Sequence, residues 1–267
     1  MMKRLTPILA VIGLPLALAA CATAAPERSG FLSGYDSLQA PERGGRAKVR
    51  QFQDLPALLT VQRISLTPAI LSDGADQRSP LTPVERDAVL REVDAQLCFE
   101  LSKRYEIVPT DKADAEVRAA VTWFEPTGRF ASAASAASAF FIPGPIGLRA
   151  PGTLGGLGVE AEMRTDGGKR QVAALAWARR AMAVGTDDPS LSRLGDALQF
   201  AEPFADAAAS VMSPKDRKRL KIDSKTDPCK AYGDRFQPGG LAARMITNLY
   251  VPDSRDGAAT KAPPPKN

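Results

Sequence analysis

The sequence predicts an α+β domain: a small, largely antiparallel sheet of four to five strands, packed by two main helices. Three observations predict it. Thr82-Pro83-Val84-Glu85 opens a run of apolar residues at helical spacing. Residues 113–125 and 159–164 alternate apolar and polar side chains, as half-buried strands do. A second helical spacing, from Leu191 to Ala208, closes the order strand–helix–strand–strand–strand–helix.

Residues 58–66, with Val61 and Ile64, read as the first strand. Loop signals follow at Ser72-Asp73-Gly74 and Ser79-Pro80. Thr82 then stands where a cap is needed, Pro83 at the first helical position, and Glu85 three residues after the cap. Leu90, Val93, Leu97 and Leu101 carry the buried stripe of that helix through about Lys103. Residues 105–108 form a short strand. In 113–125, Val117, Ala119, Val121 and Trp123 share one face, which makes Trp123 a core residue rather than a ligand platform.

Val159, Ala161 and Met163 alternate with Glu160, Glu162 and Arg164, and Asp166-Gly167-Gly168 turns the chain into residues 172–184. That is a hairpin. Its second arm is alanine-rich, and helix is the alternative there. Asp188-Pro189 opens the second main helix, with Leu191, Leu194, Leu198, Ala201, Ala205 and Ala208 on one stripe. Pro203 predicts a kink or two abutting helices. At that start, Asp187 and Asp188 read as cap and dipole partner rather than as paired catalytic carboxylates.

Composition bounds the chemistry. Of 267 residues, 44% are hydrophobic, enough to build the core of one domain and too many for a disordered chain. None is histidine. The commonest general base and metal ligand is therefore missing, and with it Ser-His-Asp and Cys-His hydrolysis and every imidazole zinc site. The phosphate-binding patterns G-x-G-x-x-G, G-K-S and G-K-T do not occur. No catalytic, cofactor-binding or metal-ligating residue is predicted, and the expectation is a protein that is not an enzyme.

The amino terminus gives an address. Lys3 and Arg4 precede an apolar stretch, 5–20, that Thr6 alone interrupts and that Pro7, Gly13 and Pro15 weaken as a helix. Its 16 residues are too few to cross the ~30 Å hydrocarbon core comfortably. Basic start, short apolar centre and small closing residues describe a secretory signal peptide over 1–20. The closing Leu18-Ala19-Ala20-Cys21 resembles the lipobox of bacterial lipoproteins. That resemblance implies cleavage before Cys21, thioether diacylation of Cys21 with chains such as palmitate, and acylation of the new amino group. Ala22, where an aspartate would favour inner-membrane retention, implies an outer-membrane lipoprotein facing the periplasm. The alternative is an ordinary signal peptide that happens to end beside a cysteine.

Cys98 and Cys229 remain. An even remainder in an oxidising compartment invites a disulfide between them; the alternative is a buried Cys98 on its helix and a free Cys229 thiol in a tail. Residues 21–50 read as lipidated cysteine and tether, 51–213 as a single α+β periplasmic domain, and 214–267 as a basic, low-complexity tail. Within the tether, Phe31-Leu32-Ser33-Gly34-Tyr35 and Leu38 are too apolar for a linker and dock on the body or on a partner. Five of the seven residues 215–221 are basic, a solvated stretch or a contact for lipid phosphates. An Ala/Ser/Gly/Pro-rich insertion covers 127–158, and its 130–148 stretch has no charge. It reads as a mobile hairpin or lid, a small-residue surface for self-association or a partner, or an element that enters the membrane.

The lipobox, Phe31-Leu32-Ser33-Gly34-Tyr35-Asp36-Ser37-Leu38, the acidic-turn hairpin and Gly195-Asp196-Ala197 together resemble a bacterial outer-membrane lipoprotein family. Its domain is one of unknown function, and the resemblance covers most of 21–212. It implies placement and fold, and no catalytic residues. The element order is also similar to the amino-terminal domain of the Tol-system propeller protein, to the lipoprotein activators of peptidoglycan synthases and to the curli secretion channel.

Two functions follow as expectations. The first is a non-enzymatic, lipid-anchored accessory or scaffold of a cell-envelope assembly, using 130–158 as its partner surface. The second is a subunit of an oligomeric export channel in which that segment inserts or oligomerises. The expected partners are the membrane, through the anchor, and an unknown envelope protein or another copy of the chain. Nucleic acid is excluded: the net charge of +5 comes with no DNA-binding motif.

Overall fold

The computed structural model describes residues 26, 28–78, 81–128, 147–148, 154–182, 184–185, 187, 190, 192–223 and 225–233. The first strand, β1 (Lys48–Gln53), lies ahead of any strand expected from the sequence. Val49 and Phe52 are its only large apolar residues, which is the pattern of an edge strand and gives little signal. The Asp54 side chain then accepts a hydrogen bond from the Ala57 N–H at 3.1 Å and caps a short helix, α1 (Leu55–Thr60), with Pro56 in its first turn. The strand expected from Leu58 therefore starts later, as β2 (Arg63–Leu66).

Next come β3 (Ile70–Leu71), α2 (Asp73–Arg78) and α3 (Pro83–Ser102). Thr82 and Glu85 form the expected capping box on α3, each side chain bonded to the other's backbone. The chain continues through β4 (Glu106–Ile107), β5 (Ala115–Glu125), β6 (Gly147–Leu148), β7 (Gly156–Thr165), β8 (Arg170–Arg180) and β9 (Val184–Gly185). It ends in α4 (Gly195–Val211).

Seven strands make one sheet in the order β1–β8–β7–β5–β2–β4, with β3 also paired to β5. Its β1, β8, β7 and β5 are antiparallel neighbours, whereas β2 and β3 run parallel to β5, and β4 parallel to β2. The expected small, largely antiparallel sheet is thus corrected to a larger, mixed one. A parallel pair needs a long crossover, and α2 and α3 between β2 and β4 supply it. Four helices occur among the described residues, two of them short.

The long helices α3 and α4 lie side by side on one face. Val93, Leu97 and Leu101 of α3 meet Val117, Val159 and Trp177 of the sheet and Phe204 of α4 in one core. Trp177 and Phe204 contact edge to face with ring centroids 6.0 Å apart, a geometry worth about 0.5–1.5 kcal/mol beyond area burial.

Two expectations on these elements are corrected. An extra residue in β5 between Val121 and Trp123 shifts its register against β7, so Trp123 lies opposite Gly158 and leaves the core face to Phe124. A Cβ on Gly156 would stand 2.2 Å from the indole, so the glycine makes a shelf for Trp123 on the outer face. The second helix starts at Gly195, and it runs through Pro203 without a break.

Candidate functional site

The outer face of the sheet is where the sequence pattern and the structure part. On β7 and β8 the residues Ala174, Ala176, Gly158, Glu160 and Glu162 alternate with the core residues, yet all of them are buried. Trp123 lies against Gly158, and the other four are covered by a segment within the expected tether, the strap at 28–39. Leu32 and Leu38 are buried against Ala174 and Ala176, with Phe31, Tyr35 and Phe52 packed around them. Gln39 pairs with Gln51 and closes the strap onto β1.

Two buried carboxylates hold this strap. Glu160 accepts from the Ser29 hydroxyl at 2.5 Å and from the Tyr35 hydroxyl at 2.8 Å. Glu162 accepts from the Ser33 N–H and hydroxyl, both at 2.8 Å, from Gln171 at 2.6 Å and from Arg118, an ion pair at 2.6 Å. Arg118 also donates to the Phe31 carbonyl and lies over the Phe31 ring, 4.5 Å from its centroid. Burial pushes the Glu162 carboxyl up, but the hydrogen bonds from Ser33, Gln171 and Arg118 outweigh it and leave the group below its ordinary value. Burial also raises the Tyr35 hydroxyl, which stays a donor.

A third buried acid closes the neck of the 127–158 insertion. Asp196, in the first turn of α4, accepts from the Gly155 N–H at 2.7 Å and from the Thr127 hydroxyl at 3.0 Å. Its own N–H donates to the Thr127 hydroxyl at 3.1 Å. One carboxylate therefore clips together two points 28 residues apart in the chain. A Cβ on Gly155 would meet Thr127 and Asp196 at 2.7–2.9 Å, so only glycine fits under the clip. Gly195 is required in the same way, because a Cβ there would fall 2.0 Å from the Ser190 hydroxyl. This explains the Gly195-Asp196-Ala197 motif physically.

Asp187 is not a helix cap. It accepts from Arg179 and from the Met182 N–H, and pairs with Arg46 at 3.6 Å. α4 starts at Gly195 and is capped by no side chain. Asp188 lies outside the described residues.

Cys98 and Cys229 form a disulfide, with Cα atoms 5.9 Å apart. It fastens residues 213–233 alongside α3, where Tyr232 and Leu66 pack on it. Beside it, the Ala69 N–H donates to Asp94 at 2.8 Å, while burial raises the Asp94 carboxyl to about 7. Burial and the charge of Asp94 push the Tyr232 hydroxyl to about 12.

Of the residues singled out from sequence, Cys21 and the signal peptide lie outside the described residues, as does the 130–148 stretch apart from β6. β6 pairs with β9, Gly147 opposite Gly185. Among the described residues, no three acids or cysteines are grouped to hold a metal ion, and no helix is long and apolar enough to cross a membrane. The glutamate pair and Asp196 were not predicted as site residues. The one signal for them was the resemblance motif on either side: Phe31-Leu32-Ser33-Gly34-Tyr35 covers the first, and Gly195-Asp196-Ala197 contains the second.

The profile of the family described as "Protein of unknown function (DUF3313)" matches residues 27–208, which include the strap, both glutamates and the clip. No curated protein sequence matches the chain. Among solved structures, the PelC dodecamer from Paraburkholderia phytofirmans is similar at 13% identity and a TM-score of 0.38, over 65% of this chain and 99% of that one. A point variant of the same dodecamer is similar at 12% identity and a TM-score of 0.37, over 63% and 98%.

Proposed function

The chain belongs to the family described as "Protein of unknown function (DUF3313)", and we propose that it is a lipid-anchored, periplasm-facing outer-membrane lipoprotein, a non-enzymatic accessory or scaffold of a cell-envelope assembly. One observation carries the reading: the strap that begins at Arg28, close behind Cys21 in sequence, is packed on the sheet. Ser29 is bonded to the buried Glu160, so eight chain steps separate the lipobox cysteine from a fixed point on the sheet. Fully extended, they span no more than about 28 Å. Acylation of Cys21 would hold the domain within that distance of the bilayer, a geometry suited to positioning.

Four of the buried acids are engaged in holding the fold together. Glu160, Glu162, Asp187 and Asp196 each spend their oxygens on partners inside the fold, which leaves them poor candidates for acid–base work. Segment 130–158 of the insertion, clipped at its neck by Asp196, is the surface proposed for an envelope partner.

The anchor is tested by radiolabelled palmitate, which enters the wild-type chain and not Cys21→Ala; equal labelling of the two ends the lipoprotein reading. Native mass after detergent extraction tests the rest. A monomer or dimer is expected, and a ring of many subunits would replace the accessory role by that of an export-channel subunit. Crosslinking from positions 130–158 in intact cells then identifies the partner.

A further inference from the structure

The basic run at 215–221 is not a free tail. Arg217 turns inward, donating to the carbonyls of Leu58 at 3.0 Å and Val61 at 2.7 Å and to the Gln62 side chain at 3.3 Å. Its guanidinium also lies over the Tyr105 ring, 4.3 Å from the centroid. The Leu220 N–H donates to the Lys103 carbonyl at 2.8 Å. Upstream, Tyr105 holds the Met212 carbonyl and Gln53 the Ser213 carbonyl. Downstream, Cys229 is bonded to α3. The loop is moored at both ends and in the middle. A stretch that only solvates the chain needs no such mooring.

With Arg217 drawn in, Lys215, Lys218, Arg219 and Lys221 remain exposed, and Asp216 is the one acid among residues 215–221. The same end of the molecule presents leucines to solvent. Leu59 is 59% exposed and Leu55 46% on α1, to whose Leu58 carbonyl Arg217 is bonded, and Leu220 is 46% exposed within the loop. Leucines flanked by lysines and arginines, with the backbone fixed, match an interface of headgroup phosphates above acyl chains. An acidic protein would match the charges, but protein interfaces draw on aromatic residues and arginine and are depleted in lysine, whereas this surface offers leucines and lysines.

We propose that loop 214–221 and helix α1 form a docking surface for an anionic phospholipid membrane. The cations meet phosphate groups while Leu55, Leu59 and Leu220 enter the headgroup boundary. The surface does not rest on acylation of Cys21, and its test omits that residue. A chain beginning at Ala22 without the cysteine keeps every buried residue and hydrogen bond of the described fold, which begin at Arg28.

The experiment is flotation of that chain with vesicles of phosphatidylglycerol and phosphatidylethanolamine, and with phosphatidylcholine alone. Binding to the anionic vesicles is expected, weakened by salt. It falls about tenfold or more in Lys215→Glu/Lys218→Glu/Lys221→Glu, and falls again in Leu59→Ser/Leu220→Ser. These side chains are exposed, so both variants keep the wild-type melting temperature. Equal binding to neutral vesicles, no binding to either, or undiminished binding by the charge-reversed chain overturns the proposal. So does retention on polyglutamate without flotation, which assigns the surface to an acidic polypeptide. Palmitate labelling and flotation can fail separately, so the two readings remain distinguishable.

Discussion

Asp94 and Glu162 are both acids withdrawn from water, and the fold treats them in opposite ways. Glu162 is given an arginine, a glutamine and a serine's two donors, and its carboxyl falls below the ordinary value. Asp94 has the Ala69 N–H and a more distant Arg91, and burial wins, raising it to about 7. A carboxyl raised in the folded state favours folding while protonated. Its contribution is complete below the ordinary value of 3.8 and is lost as the pH rises through about 7. Ionised Asp94 is therefore a cost at alkaline pH. Asp94→Asn keeps an acceptor for Ala69 and removes the charge, so it is expected to stabilise by on the order of 2 kcal/mol at pH 8, by less than half of that at pH 5, and by little below the ordinary value of 3.8. Thermal melts of the two chains at both pH values check this. An equal shift at both assigns the effect to packing instead.

At the scale of elements, the strap at 28–39 is held by buried carboxylates as well as by its apolar residues. Glu162 has a depressed folded value, so its stabilisation is present above the ordinary carboxylate value and disappears as the pH falls through the lowered one. Amide exchange across 29–36 is expected to accelerate below about pH 4 while the core of β7 and β8 stays protected. Glu162→Gln is expected to loosen the same amides at neutral pH and to cost about 2–4 kcal/mol, because Arg118 is left without its buried partner. Strap exchange that ignores both acid and the substitution would mean that the apolar cluster alone holds it. This element was half legible. Phe31, Leu32, Tyr35 and Leu38 showed that the segment would dock, but their partners lie about 130 residues away. Glu160 and Glu162 alternate with Val159 and Ala161 as solvent-facing residues would, and no local pattern says that another segment covers them.

For the whole molecule, the Cys98–Cys229 bond is a covalent cross-link over a sequence separation of 131. Chain entropy puts its upper limit near 5 kcal/mol, and a loss of about 2–4 kcal/mol is expected for Cys98→Ala/Cys229→Ala. That corresponds to a fall in Tm of roughly 10 °C, with residues 225–233 exchanging faster than α3. An unchanged Tm would mean that Arg217 and its neighbours hold the carboxy-terminal segment alone. The sequence by itself determined what depends on nearest neighbours. Thr82 and Glu85 cap α3 within one turn, Asp166-Gly167-Gly168 turns the hairpin with positive φ at all three residues, and cysteine parity named the disulfide. Only the tertiary structure decided what depends on distant segments. It set the parallel pairing of β2 and β4 with their neighbours, moved Trp123 out of the core by a one-residue bulge, and buried three carboxylates under remote donors. The physical reason is common to these cases: a side chain's periodicity records which face it takes, but its burial and protonation are set by whatever chain the fold brings over that face.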